Sequence, residues 1–142
     1  MIKLLFLSFL LSTSAFANRL ILSKSISSAS HLPRAVFEKD CNIYAEGFAI
    51  ITTRAGSGPT RIRKQYVSYQ RVIAVQLLLG VAKNGRIKTV GASCDGANKL
   101  LDGYIGDSKL LLDEDISCGN HKVNQSPVTP ALAGRARVIC GF

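Results

Sequence analysis

The chain has 142 residues, 18 Lys and Arg against 9 Asp and Glu, and a formal net charge of +9. That length suits one domain with its own apolar core, and no run approaches the ~18 consecutive apolar residues of a membrane-spanning helix. So positive a balance favours anionic partners and disfavours strongly basic ones.

The first residues have three parts: a basic start at Met1-Ile2-Lys3, an apolar run from Leu4 to Leu11, and a small, polar stretch closing on Ala15-Phe16-Ala17. This pattern predicts a secretory leader over residues 1–17, cut after Ala17, with an apolar stretch too short to cross a bilayer. The expected product is exported, periplasmic or secreted. Residues 18–142 are expected to form a single disulfide-linked domain.

From Asn18 to Ser30 the chain is serine-rich and weakly apolar, which suits a first edge strand or a loose arm. Pro33 followed by Arg34-Ala35-Val36-Phe37-Glu38 suggests a short helix near residues 33–39, with proline early, where its missing N–H costs little. From Cys41 to Ile51 the apolar period turns to two, as in a strand. That strand ends in the flexible run Arg54-Ala55-Gly56-Ser57-Gly58-Pro59.

Residues 66–82 read as a second, longer extended stretch that bends or bulges. Lys83-Asn84-Gly85-Arg86 then offers the Asn-Gly pair of a tight hairpin turn, since both central positions must tolerate φ > 0. The implied register puts Val75, Leu77, Leu79, Val81, Val90, Ala92 and Cys94 on one face. The apolar run from Val72 to Ala82 is expected to be a central strand covered on both sides, or else a self-association surface. Asp95 to Gly103 reads as a helical turn or an irregular loop, and Gly119 to Ala133 as a long loop. Leu110 to Cys118 and Gly134 to Phe142 read as two further strands. The expected fold is mostly β, an antiparallel sandwich or small barrel.

Cys41, Cys94, Cys118 and Cys140 make an even set beyond the leader, which in an exported chain implies two disulfides whose pairing the sequence leaves open. Each cysteine shares the parity of its neighbouring apolar residues, so all four are expected to point inward. The spacing Cys118-Gly119-Asn120-His121 would suit a zinc ligand pair, but no second pair accompanies it. No metal site and no cofactor are expected.

Charge supplies the main functional signal. Between Gly47 and Cys94 stand eight Lys and Arg and no Asp or Glu, whereas Asp95 to Asp115 holds six acids and two bases. Arg61, Arg63 and Lys64 lie beside the glycine-rich loop, and Lys83, Arg86 and Lys88 flank the Asn-Gly pair. These six are the candidate anion-binding residues, for lipid head groups, a glycan, nucleic acid or an acidic protein. The bland alternative is that they solvate two turns.

His31 and His121 permit an enzyme reading, a secreted ribonuclease-like hydrolase with one imidazole as base and the other as acid. Nothing in the sequence brings the two rings together. Inhibition of a secreted enzyme is a third class. The expected function is a non-enzymatic binding or envelope-associated module with a basic surface, the hydrolase being the runner-up.

Overall fold

Short turns, not long crossovers, set most of the topology. In the structure, a computed structural model describing residues 18–28 and 36–142, four strands are followed by a helix, and that order then occurs a second time. The first set is β1 (Leu20–Ser28), β2 (Phe37–Tyr44), β3 (Phe48–Ala55), β4 (Arg61–Tyr66) and α1 (Tyr69–Ala82). The second is β5 (Ile87–Val90), β6 (Ala97–Ile105), β7 (Ser108–Asp115), β8 (His121–Asn124) and α2 (Thr129–Cys140). The strands form one antiparallel sheet in the order β4-β3-β2-β1-β6-β7-β8-β5, which does not close. The mostly β, antiparallel expectation therefore holds, in the form of one sheet layered with helices.

Both helices lie on the same side of this sheet. Leu22, Ile43, Ala49, Ile51, Leu101 and Leu112 rise from the strands to meet Val72, Val75, Leu79, Leu132, Ala136 and Ile139. At Gly103 of β6 α1 comes close to the sheet: an added Cβ would stand 2.2 Å from a Leu79 methyl, so a larger residue there would force the Leu79 side chain to shift.

Several sequence expectations are corrected. Residues 20–28 form neither an edge strand nor a loose arm: β1 sits mid-sheet, paired with β2 and β6. The short helix near 33–39 is not found over Phe37–Lys39, which open β2; residues 33–35 lie outside the described residues, as do the leader and His31. The single strand expected from Cys41 to Ile51 is two strands folded at Ala45–Gly47, the second of which runs on through Arg54 and Ala55, read from the sequence as the start of a flexible loop. Asp95 to Gly103 contains most of β6, and Gly119 to Ala133 contains β8 and the start of α2.

The extended stretch at 66–82 is instead helix α1. Its apolar residues satisfy both periods, but Val72, Val75, Leu79 and Ala82 recur at helical spacing and are the buried ones. Packing across the sheet decides between the two. Asn84-Gly85 consequently ends a helix and turns no hairpin: Gly85 N–H donates to Ala82 O at 2.9 Å. The two-residue hairpin turn lies elsewhere, at Gly106-Asp107, since Ile105 pairs with Ser108. Gly106 has φ 59°, the left-handed value that the first position of such a turn requires. Gly134 to Phe142 is likewise mostly helix. Pro130 sits in the first turn of α2, and Gly141 closes it at φ 80° with its N–H on Arg137 O at 2.8 Å.

The cysteines pair as Cys41–Cys140 and Cys94–Cys118. The first bridge is buried and ties the end of α2 to β2. The second is exposed and joins the loop before β6 to the loop after β7, so the inward expectation fails for Cys94 and Cys118. A loop of 99 residues gains more from closure than one of 24, about 4.7 against about 3.5 kcal/mol on chain entropy. Cys41→Ala/Cys140→Ala is expected to lose more stability in urea unfolding than Cys94→Ala/Cys118→Ala; equal midpoints would contradict this.

A second stability prediction concerns β6. The Asp102 side chain is 3% exposed, and its carboxylate is bonded by Lys109 Nζ at 2.9 Å. Lys109→Ala would leave that charge buried and unpaired, at a cost of about 1–3 kcal/mol. Removing Lys122 from its exposed pair with Glu114 should cost no more than about 1 kcal/mol. Thermal unfolding of the two variants gives the comparison.

Candidate anion-binding cleft

Cross-strand register builds this site. Cys41, Lys24, Leu101 and Asp113 stand directly opposite one another on β2, β1, β6 and β7, and Lys39, Ile26 and Lys99 form the next row. Residues directly opposite share a sheet face. Cys41 and Leu101 are buried beneath the helices, so Lys24 and Lys39 also project to the helical side. A bulge between Leu101 and Asp102 sets two residues of β7 against one of β6, which lets both Leu112 and Asp113 reach that side.

The end of α2 closes over these rows because Cys140 is bonded to Cys41. Phe142 therefore lies between two lysines: its ring centre is 5.2 Å from Lys24 Nζ and 5.4 Å from Lys39 Nζ. Lys39 Nζ also stands 5.0 Å from the Phe37 ring, and Lys24 Nζ donates to the main-chain oxygen of Phe142. Cation–π contacts of this kind hold an ammonium group without neutralising it. A cavity of about 320 Å³ opens here, walled by Lys24, Ile26, Leu101, Arg137 and Phe142.

Basic side chains outnumber acidic ones in this cleft. Among the described residues, no Asp or Glu side chain forms an ion pair with Lys24, Lys39 or Arg137, and the oxygen that faces Lys24 is that of Phe142, the last residue of the sequence. Burial, and then the nearby Arg137 guanidinium, hold the Lys24 ammonium below the ordinary lysine pKa. Lys99 is answered by Asp95 at 2.5 Å, which raises its pKa. Asp113 borders the cavity but engages His121 Nε2 at 2.9 Å. The arrangement offers a fixed, partly desolvated positive field beside an aromatic and aliphatic wall.

The six basic residues singled out from the sequence do not converge. Arg61, Arg63 and Lys64 lie on β4, at one edge of the sheet; Lys83 ends α1, Arg86 follows it, and Lys88 lies on β5, at the other edge. Six strands intervene, or roughly 30–35 Å across the sheet at ~4.8 Å per strand. Within the first group Arg61 lines a shallow groove with Lys39 and Thr53, whereas Lys64 turns to the opposite face, 4.2 Å from the Phe48 ring. His121 is half-buried on β8. Cys118 is bonded to Cys94, which removes its thiolate from any ligand set with His121.

Sequence reasoning missed Lys24, Lys39, Arg137, Phe37 and Phe142, which come from three distant segments. A signal was present in the strands: Leu22-Lys24-Ile26 and Lys39-Cys41-Ile43 each place a lysine on the apolar parity, where solvation alone would not put one. Comparison with protein-family models, with curated protein sequences and with solved structures found no significant match.

Proposed function

We propose that this chain is an exported, non-enzymatic binding module, periplasmic or secreted, whose cationic cleft takes a carboxylate, sulfate or phosphate group of its partner. The single observation that carries the reading is the gathering of Lys24, Lys39 and Arg137 around Phe142 with no Asp or Glu side chain ion-paired to them among the described residues. Lys24 and Arg137 would supply charge-assisted hydrogen bonds to such a group. The Phe142 wall excludes water from one side, which strengthens pairing relative to open solvent. Export is supported by the leader pattern and by two disulfides. Among the described residues no helix is long and apolar enough to cross a membrane.

Glycans, nucleic acids, lipid head groups and acidic proteins all present groups of this chemistry. A sulfated polysaccharide is a convenient probe. Lys24→Glu and Arg137→Glu are each expected to weaken its binding by on the order of tenfold at moderate salt, measured by titration calorimetry. Lys83→Glu/Arg86→Glu, at the far edge, should change it much less. Equal losses at both places would replace a cleft with diffuse attraction, and RNA cleavage lost in His121→Ala would replace the binding module with the hydrolase.

The depressed Lys24 pKa adds a pH signature of definite sign. Anion affinity should persist below that value and fall as pH rises through it, earlier than an ordinary lysine allows. Lys24→Arg, charged throughout, should move the loss to higher pH. Folding stability should respond in the opposite sense. Between the folded and unfolded values of Lys24 the unfolded chain holds more protons, so this residue makes stability rise with pH. The difference between the native protein and Lys24→Met in alkaline unfolding isolates that contribution.

A further inference from the structure

The outward side of the helical layer has a composition that its buried side does not explain. In α1 the core takes Val72, Val75, Leu79 and Ala82. Ile73, Leu77 and Val81, spaced by four, form a second apolar stripe on the opposite face, where Leu77 is 68% and Val81 50% exposed. In α2 the core takes Leu132, Ala136 and Ile139, while Ala131, Gly134 and Val138 line the outside, Val138 at 65% exposure. A helix apolar on both faces ordinarily has cover on both. Neither helix contains an Asp or Glu. The charges beside these stripes are Arg71 and Arg135, both exposed and without an acidic partner among the described residues. Arg71, Arg135 and Val138 also border a shallow groove between the two helices.

We infer that this face docks on the surface of an anionic lipid bilayer, with Leu77, Val81 and Val138 entering the interface and the arginines meeting phosphate groups. Charge complementarity selects this occupant. A second copy would bring arginines against arginines with no carboxylate to answer them, whereas an acidic lipid surface pairs every one. Apolar stripes bordered by cations are the composition of helices that lie in the plane of a membrane interface. The surface is separate from the Lys24–Lys39 cleft, so the inference stands or falls without it.

The test uses the purified, oxidised protein and sedimentation with vesicles of phosphatidylcholine, alone or mixed with phosphatidylglycerol. Binding is expected only to the mixed vesicles and should fall as salt screens the lipid charge. Each arginine near such a surface contributes roughly fivefold to partitioning, so Arg71→Glu/Arg135→Glu should lower it by more than twentyfold, and Leu77→Glu/Val138→Glu should abolish it. Lys24→Glu and Lys39→Glu should leave more of the binding intact than either helical pair does. The chain has no Trp, so Leu77→Trp introduces a lone reporter at an exposed position, whose emission should shift to the blue on mixed vesicles and be quenched by brominated lipid. Three results would overturn the inference: no vesicle binding, binding indifferent to the helical variants, or an unshifted Trp alongside a dimer that Leu77→Glu dissolves, which would assign the face to a second copy.

Discussion

The bridge from Cys41 to Cys140 joins the second strand to the end of the last helix, and the arrangement of the helical side follows from it. It fixes α2 across the middle of the sheet and thereby places Phe142 against Lys24 and Lys39. It also sets Arg137, one turn earlier, at the mouth of the same cavity. A helix end held only by apolar contacts could fray, and the aromatic wall of the cleft would fray with it. The crosslink thus preorganises side chains from β1, β2 and α2, which would lower the ordering entropy of the proposed anion binding.

Two faces of the helical layer divide the labour. Toward the sheet it buries Val72, Val75, Leu79, Leu132 and Ile139, which holds the fold together. Toward solvent it offers aliphatic residues and arginines without a single acid. The acids are concentrated on β6, β7 and the adjoining loops, where Asp102 is paired with Lys109, Asp95 with Lys99 and Glu114 with Lys122, while Asp113 shares a hydrogen bond with His121. Net charge is therefore a poor guide to the local field, which depends on which bases were left unanswered.

Strand parity made part of this legible in the sequence. The strand at Leu110 to Cys118 and the extended character of Cys41 to Ile51 follow from alternation, and most of both segments is strand in the structure. The helices were not legible. Val72 to Ala82 is so uniformly apolar that period two fits it as well as period 3.6, and only the sheet lying beneath it selects the helix. For α2 the cues existed, with Pro130 at its start and Gly141 at its end, but the alternation of Ala136, Val138, Cys140 and Phe142 masked them. The cleft escaped because its members are brought together only by register and a disulfide, neither of which leaves a local pattern.

An unclosed sheet leaves the outer backbone groups of β4 and β5 without strand partners among the described residues, and such margins are templates for stacking one molecule upon the next. Here both margins bristle with like charge: Arg61, Arg63 and Lys64 along one, Lys88 with nearby Arg86 and Lys83 along the other. Copies approaching margin to margin meet cation against cation. The basic runs that are so conspicuous in the sequence thus act as bumpers against fibrous growth, a protection that weakens where ionic strength is high.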